Sequence, residues 1–219
     1  LELCENPQAA TEVTLQPLRI LGVDAAILFA DILLPLRPMG INVRFQKGEG
    51  PQLNPPLRQL KDISRLRLFN PEEDLAFVLT TLRNLRRELD GKVPLIGFAG
   101  APFTLASYMI EGGPSKDYLH TKSLMHAQPK AWKELMEKLV LITSAYLHAQ
   151  IKAGAQAVQI FDSWIGALAK HDYLRYVYPY SKKLFASIAT AKVPVISFGT
   201  QTAAFLPEFA QAGGDVIGV

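Results

Sequence analysis

Val23-Asp24-Ala25-Ala26-Ile27-Leu28-Phe29-Ala30-Asp31-Ile32-Leu33-Leu34-Pro35 is the stretch on which the fold turns. Gly22 leads into it, and the uncharged run from Ala25 to Ala30 has the length and character of a strand buried on both faces. Asp31 interrupts the run, and apolar residues resume at once. An acidic side chain in such company needs a partner. It stands at the C-terminal end of the predicted strand, where parallel α/β folds place their chemistry. Two readings stay open: a site residue, or a carboxylate that caps the following turn.

Working outward, residues 93–99, 156–161, 193–198 and 215–219 read as further strands of the same kind. Helical patterns lie between them. Asn6-Pro7 opens the first, with a capping side chain and proline at the first helical position, and Pro17 is predicted to bend or shorten it. Asn70-Pro71 opens another, with Leu75, Val78, Leu79, Leu82, Leu85 and Leu89 on one apolar face. A short helix runs from the Gly100 turn through Tyr108, and a long one from Pro129 to the Gly154 stop. A region near residues 171–191 is split or kinked by Pro179. Residues 35–69 are rich in proline and glycine and read as irregular, with positive charge from Arg37, Arg44 and Lys47 and a short hairpin strand at residues 42–46.

Alternation of strand and helix implies a parallel sheet with helical crossovers. A (β/α)8 TIM barrel takes about 250 residues, or about 30 per unit, so this chain supplies about five of the eight units. Residues 1–219 are therefore expected to be a single domain, part of one barrel lacking N- and C-terminal segments. The long stretches 35–56 and 111–120 follow strands and are expected on the same rim as Asp31.

Composition narrows the classes. The 219 residues are 49% hydrophobic and 20% charged, as in ordinary globular proteins. A net charge of +3 and a pI near 8.9 are too mild for a nucleic-acid binder and suit a small acidic ligand. The single cysteine, Cys4, excludes an intramolecular disulfide and any multi-cysteine metal site. No apolar run reaches the ~18 residues of a membrane span, and no signal peptide is recognisable, so a cytoplasmic location is expected. The chain lacks an initiator methionine, and a fragment is expected.

Three predicted strand ends carry chemically capable groups: Asp31 after the first, Tyr108 one short turn beyond the second, Ser163 after the third. In a parallel barrel such ends share one rim. Ser163 has no local histidine or lysine to activate it as a nucleophile. His120, His126, His148 and His171 lack metal-ligand spacing and read as surface or helix residues, so no metal and no cofactor are expected. A carboxylate, a phenol and a hydroxyl on an apolar rim suit a substrate that supplies its own reactivity.

These residues sit in familiar motifs. Glu12-Val13-Thr14-Leu15-Gln16-Pro17, Phe29-Ala30-Asp31-Ile32-Leu33, Gly97-Phe98-Ala99-Gly100-Ala101-Pro102-Phe103-Thr104, Tyr108-Met109-Ile110-Glu111-Gly112-Gly113, Phe161-Asp162-Ser163-Trp164 and Gly213-Gly214-Asp215-Val216-Ile217-Gly218 closely resemble the uroporphyrinogen decarboxylase family, in order along the chain. Ala30 stands where serine is common in the family, and Phe103 where tryptophan is common. The resemblance implies a (β/α)8 barrel, usually a homodimer. It implies cofactor-free removal of carbon dioxide from the four acetate arms of uroporphyrinogen, giving coproporphyrinogen in porphyrin and haem biosynthesis. It also implies that Asp31 binds the pyrrole N–H groups at the centre of the macrocycle, and that Tyr108 and Ser163 contact the acidic arms. The family's arginine-rich segment would precede Leu1, and its site histidine would follow Val219.

The rivals are a corrinoid- or zinc-dependent methyltransferase on the same barrel and a non-catalytic barrel fragment. Stoichiometric zinc in the purified protein favours the methyltransferase. Its cysteine and histidine ligands are not supplied by this stretch. No nucleic-acid or membrane partner is expected.

Overall fold

A computed structural model describes residues 2–46, 48 and 50–219. In chain order its elements are α1 (Glu2–Glu5), α2 (Pro7–Leu21), β1 (Ala26–Ile27), β2 (Asn42–Gln46), β3 (Gly50–Asn54), α3 (Leu60–Ser64), α4 (Pro71–Asp74) and α5 (Ala76–Leu89). There follow β4 (Leu95–Gly100), α6 (Pro102–Glu111), α7 (Leu119–Ala127), α8 (Pro129–Ala153), β5 (Ala157–Asp162), α9 (Lys170–Tyr176), α10 (Tyr178–Ile188), β6 (Val195–Gly199), α11 (Leu206–Ala212) and β7 (Val216–Gly218). No helix among the described residues is long and apolar enough to cross a membrane.

The five expected strands form one parallel sheet in the order β1-β4-β5-β6-β7. Chain order and spatial order coincide, as in a barrel wall built from successive crossovers. Register pairs Ile96 with Ala157, Val158 with Val195 and Ile196 with Val216. One face of the sheet, with Leu95, Gly97 and Ala99, Val158 and Ile160, Val195 and Ser197, is buried under the helices. The other face carries Ile96, Phe161, Ile196 and Phe198 and is half-buried. On that face Phe98, Phe161 and Phe198 meet edge to face, at centroid separations of 5.5 and 5.3 Å.

The N-terminal helix starts where the sequence indicates: the Asn6 side chain accepts from the Gln8 and Ala9 amides, and Pro7 follows. It ends at Gly22, whose left-handed backbone (φ 63°) places its N–H on Leu18 O, 3.1 Å away. Pro17 does not shorten α2, which continues to Leu21. Burial of Ala10, Thr14 and Leu15 along a face packed on α5 outweighs the one helical bond that proline lacks. The helix expected from Pro71 is instead two, α4 and α5, broken at Leu75. The break expected near Pro179 is present: α9 stops at Tyr176, and Pro179 occupies the first turn of α10.

The strand expected over residues 24–30 is much shorter, and it is buried on one face only. Leu28 N–H still reaches Ile96 O, at 3.0 Å. The next amide, that of Phe29, donates to Thr14 Oγ1 of α2 at 2.9 Å. Ala26 and Leu28 are buried, whereas Ile27 and Phe29 are exposed. Beyond that point β4 has lost its strand partner, and a side chain of α8 takes over. Gln150 is fully buried; its Oε1 accepts from Phe98 N–H at 2.9 Å and its Nε2 donates to Phe98 O at 2.7 Å. Gly97 makes room for this, since a Cβ there would lie 2.4 Å from Gln150 Oε1.

Residues 42–46 do form a hairpin strand, antiparallel to β3. The hairpin packs on the end of α6 through Leu53 N–H to Gly112 O and Leu57 N–H to Met109 O, both 2.9 Å. Of the basic residues expected there, Arg37 pairs with Glu5, and Lys47 lies outside the described residues.

Candidate functional site

Asp31 sits just past β1. The capping reading holds: Oδ1 accepts the Leu33 N–H at 2.8 Å, while the side chain stays half-buried rather than turned to solvent. The following residue, Ile32, lies over the end of β4, where a Cβ on Gly100 would come within 3.3 Å of Ile32 Cβ. Glycine at 100 thus lets the Asp31 turn settle on the rim. Burial raises the Asp31 pKa above its ordinary value, and the Leu33 N–H offsets part of that rise.

Tyr108 comes from α6, which leaves the rim directly after β4. Its ring lies against the Trp164 indole, with centroids 3.8 Å apart and planes 31° apart. Its phenol is pushed up to about 12, by burial first, then by the charge of Asp31 and by Tyr118. Tyr108 therefore stays a neutral donor, and Asp31 is near enough for its charge to be felt.

Ser163 follows β5. Along the strand Val158, Ile160 and Asp162 point to the buried face, so the alternation gives Ser163 the opposite sense. Its carbonyl accepts from the Thr200 hydroxyl beyond β6. Tyr108 thus feels the charge of Asp31 on one side and lies against Trp164, the neighbour of Ser163, on the other. The three predicted residues share the C-terminal rim, and no hydrogen bond joins them to one another among the described residues. Tyr118, within the 111–120 stretch, also meets Trp164 edge-on at 5.2 Å, placing that stretch on the same rim.

Reading the sequence for single strand-end residues misses a second carboxylate. Asp162 is 4% exposed and turns toward the helices. Its Oδ1 accepts from Thr104 Oγ1 at 2.8 Å, and that hydroxyl accepts from the Trp164 N–H at 3.3 Å. The Tyr173 hydroxyl, buried without a hydrogen-bond partner among the described residues, lines a small internal cavity with Asp162, Ser181 and Ser197. The available signal was the one that exposed Asp31: a lone carboxylate ending an apolar strand.

Burial lifts the Asp162 carboxyl to about 7, with the Thr104 hydrogen bond pulling the other way. A carboxyl whose pKa is higher folded than unfolded binds more protons in the native state. Stability is accordingly expected to fall as pH rises from about 4, the ordinary carboxylate value, to about 7, and to level off above. Denaturant titrations across that range on the wild type and Asp162→Asn check this. The variant should lose that part of the slope, and an unchanged slope contradicts it.

Among the described residues no group of three or more His, Cys, Asp and Glu side chains converges as metal ligands do. His126 faces Asp172 at 3.5 Å instead. A groove of about 550 Å³ lined by Leu18, Arg19, Asp24, Glu88 and Lys92 lies at the opposite end of the strands, before β1 and β4, away from Asp31.

The sequence model of "Uroporphyrinogen decarboxylase (URO-D)" matches residues 1–219, the whole chain. The chain belongs to the uroporphyrinogen decarboxylase family. The uroporphyrinogen decarboxylase of Carboxydothermus hydrogenoformans is 57% identical over 219 residues, which are 100% of this chain and 63% of that relative. That of Sorangium cellulosum is 57% identical over the same length, 62% of the relative, and that of Thermus thermophilus 52% over 218 residues, 63% of the relative. The chain thus spans about 63% of the length of the first of these curated relatives. Among solved structures, a methyltransferase from Methanosarcina mazei superposes with a TM-score of 0.81 at 17% identity, covering 99% of this chain and 63% of the other. At that identity the likeness is one of fold. Together with the parallel sheet it supports a partial (β/α)8 barrel for this chain.

Proposed function

We propose that the protein decarboxylates the four acetate side chains of uroporphyrinogen to give coproporphyrinogen, with Asp31 as the catalytic group and Asp31, Tyr108 and Ser163 as substrate-binding residues. The observation that carries this reading is Asp31 itself. It is half-buried just past β1, with one oxygen committed to Leu33 and near enough to the neutral Tyr108 for its charge to be felt there. The names and identities of the relatives support the same activity.

The chemistry needs little from the protein beyond placement. Protonation of a pyrrole carbon gives a cation into which the electrons of the breaking bond to carbon dioxide can flow. The methylene left behind takes up a proton and becomes a methyl group, and the ring carbon gives up the proton it had gained, which restores the pyrrole. A fixed carboxylate near the ring nitrogens stabilises the cation where it develops, and costs no reorganisation at that moment. In the free protein burial raises the Asp31 pKa above its ordinary value. Four pyrrole N–H donors and a developing positive charge favour the carboxylate and act against that rise. Tyr108 keeps its proton across the working pH range and serves as a hydrogen-bond donor to the acidic arms.

We read residues 1–219 as one domain of a cytoplasmic homodimer that needs no cofactor. Anaerobic incubation of the intact protein with uroporphyrinogen, followed by separation of the oxidised products, tests the activity. Stepwise loss of four carboxyl groups is expected. Unchanged octacarboxylic substrate, or methyl transfer in its place, overturns the reading.

A further inference from the structure

The polar contacts behind the rim give Tyr108 an anchor that the predicted site residues do not include. Thr104 and Tyr108 stand four residues apart on α6, and so share one face of that helix. Both grip the same residue of the loop after β5. Thr104 Oγ1 accepts the backbone N–H of Trp164 at 3.3 Å, and the Tyr108 ring stacks on the Trp164 indole at 3.8 Å. The Thr104 hydroxyl has one proton and must aim it elsewhere to leave a lone pair for Trp164. Asp162 supplies that acceptor, 2.8 Å away, from the buried face of β5. Thr104 is itself fully buried, so water does not compete for either bond.

We propose that Asp162 and Thr104 are positioning residues: the carboxylate orients the threonine hydroxyl, the hydroxyl fixes the Trp164 backbone, and Trp164 sets the plane in which Tyr108 meets the substrate. This rests on the reading of Tyr108 as a substrate-binding residue. Asp162 acts from the helix-facing side of the sheet, so it touches no substrate. Its reach is through two hydrogen bonds and one stacking contact, joining residues 58 and 60 positions apart.

The test uses the intact protein labelled with fluorotryptophan, with the Trp164 resonance assigned by its loss in Trp164→Phe. Thr104→Val keeps the shape and removes both hydrogen bonds. It is expected to move the Trp164 resonance and to lower kcat/KM about tenfold, the scale of one lost hydrogen bond. The loss should divide between kcat and KM as it does in Tyr108→Phe, and the double variant should be no worse than the poorer single one. Thr104→Ser restores the hydroxyl and should restore both readouts. An unmoved Trp164 resonance in Thr104→Val, additive losses in the double variant, or failure of a folded Thr104→Ser to recover overturns the relay. If no uroporphyrinogen is turned over by any form, the proposed activity fails, while the Trp164 resonance and its recovery in Thr104→Ser still decide whether the relay exists.

Discussion

Asp31→Asn is expected to abolish most turnover while making the protein more stable. Asparagine keeps the size of the side chain and an oxygen to accept the Leu33 N–H, so the turn cap survives. What it removes is the charge. Loss of one preorganised electrostatic contact typically costs about 3–4 kcal/mol, or about 100- to 1000-fold in rate. The stability effect has the opposite sign. Burial holds the folded Asp31 pKa above its unfolded value, so stability falls as pH rises through the interval between the two. Above that interval the folded state carries the full cost of ionising a half-buried acid, and asparagine relieves it. Thermal melts at neutral pH should therefore show a higher Tm for Asp31→Asn than for the wild type. Tyr108→Phe and Ser163→Ala remove single peripheral hydrogen bonds and should cost about 1–2 kcal/mol each in transition-state stabilisation. If Asp31 were only a cap, Asp31→Asn would turn over normally.

Gln150→Leu should be the costliest single change to stability. The two Phe98 backbone groups that Gln150 satisfies face the side of β4 from which β1 has departed. Leucine fills the volume and leaves a buried N–H and a buried C=O without partners. Each such orphan costs about 1–3 kcal/mol, so about 2–6 kcal/mol in total is expected from this one substitution. That is a large part of the 5–15 kcal/mol by which domains are usually stable. Denaturant midpoints with an unchanged m value measure it. A loss below about 1 kcal/mol contradicts the assignment, since even one orphaned group should cost more. Activity should fall in step with the folded fraction, because Gln150 touches none of the rim residues.

How far the chain could be read in advance depended on whether its signals were local. The stretches around β4, β5 and β6 are mostly apolar segments with glycine or proline beside them, and they became strands close to where those segments lie. Residues 24–30 have the same appearance, yet only two of them pair as a strand. Beyond Leu28 the β4 groups next in line, Phe98 N–H and C=O, are held by Gln150, a side chain 52 residues further along the chain. Likewise the break at Leu75 is invisible to periodicity, because Leu75, Val78 and Leu79 keep their helical spacing across it. The shared rim position of Asp31, Tyr108 and Ser163 was legible because each ends or follows a strand, and a parallel sheet sends all such ends to one rim. Asp162 and Thr104 were not. Their role depends on which face of β5 a side chain takes and on the first turn of a helix packed against it. Both follow from the tertiary fold.

The central claim is that Asp31 is ionised when the macrocycle is bound. Difference infrared spectroscopy of the intact protein, before and after anaerobic binding of the product coproporphyrinogen, reads this directly, with Asp31→Asn identifying the bands. The account predicts that the complex shows an Asp31 carboxylate stretch, absent from the variant, and no Asp31 carboxylic-acid stretch. A carboxylic-acid band that persists in the complex and disappears in Asp31→Asn would show a neutral Asp31 beside the ring, and would contradict the electrostatic role assigned to it.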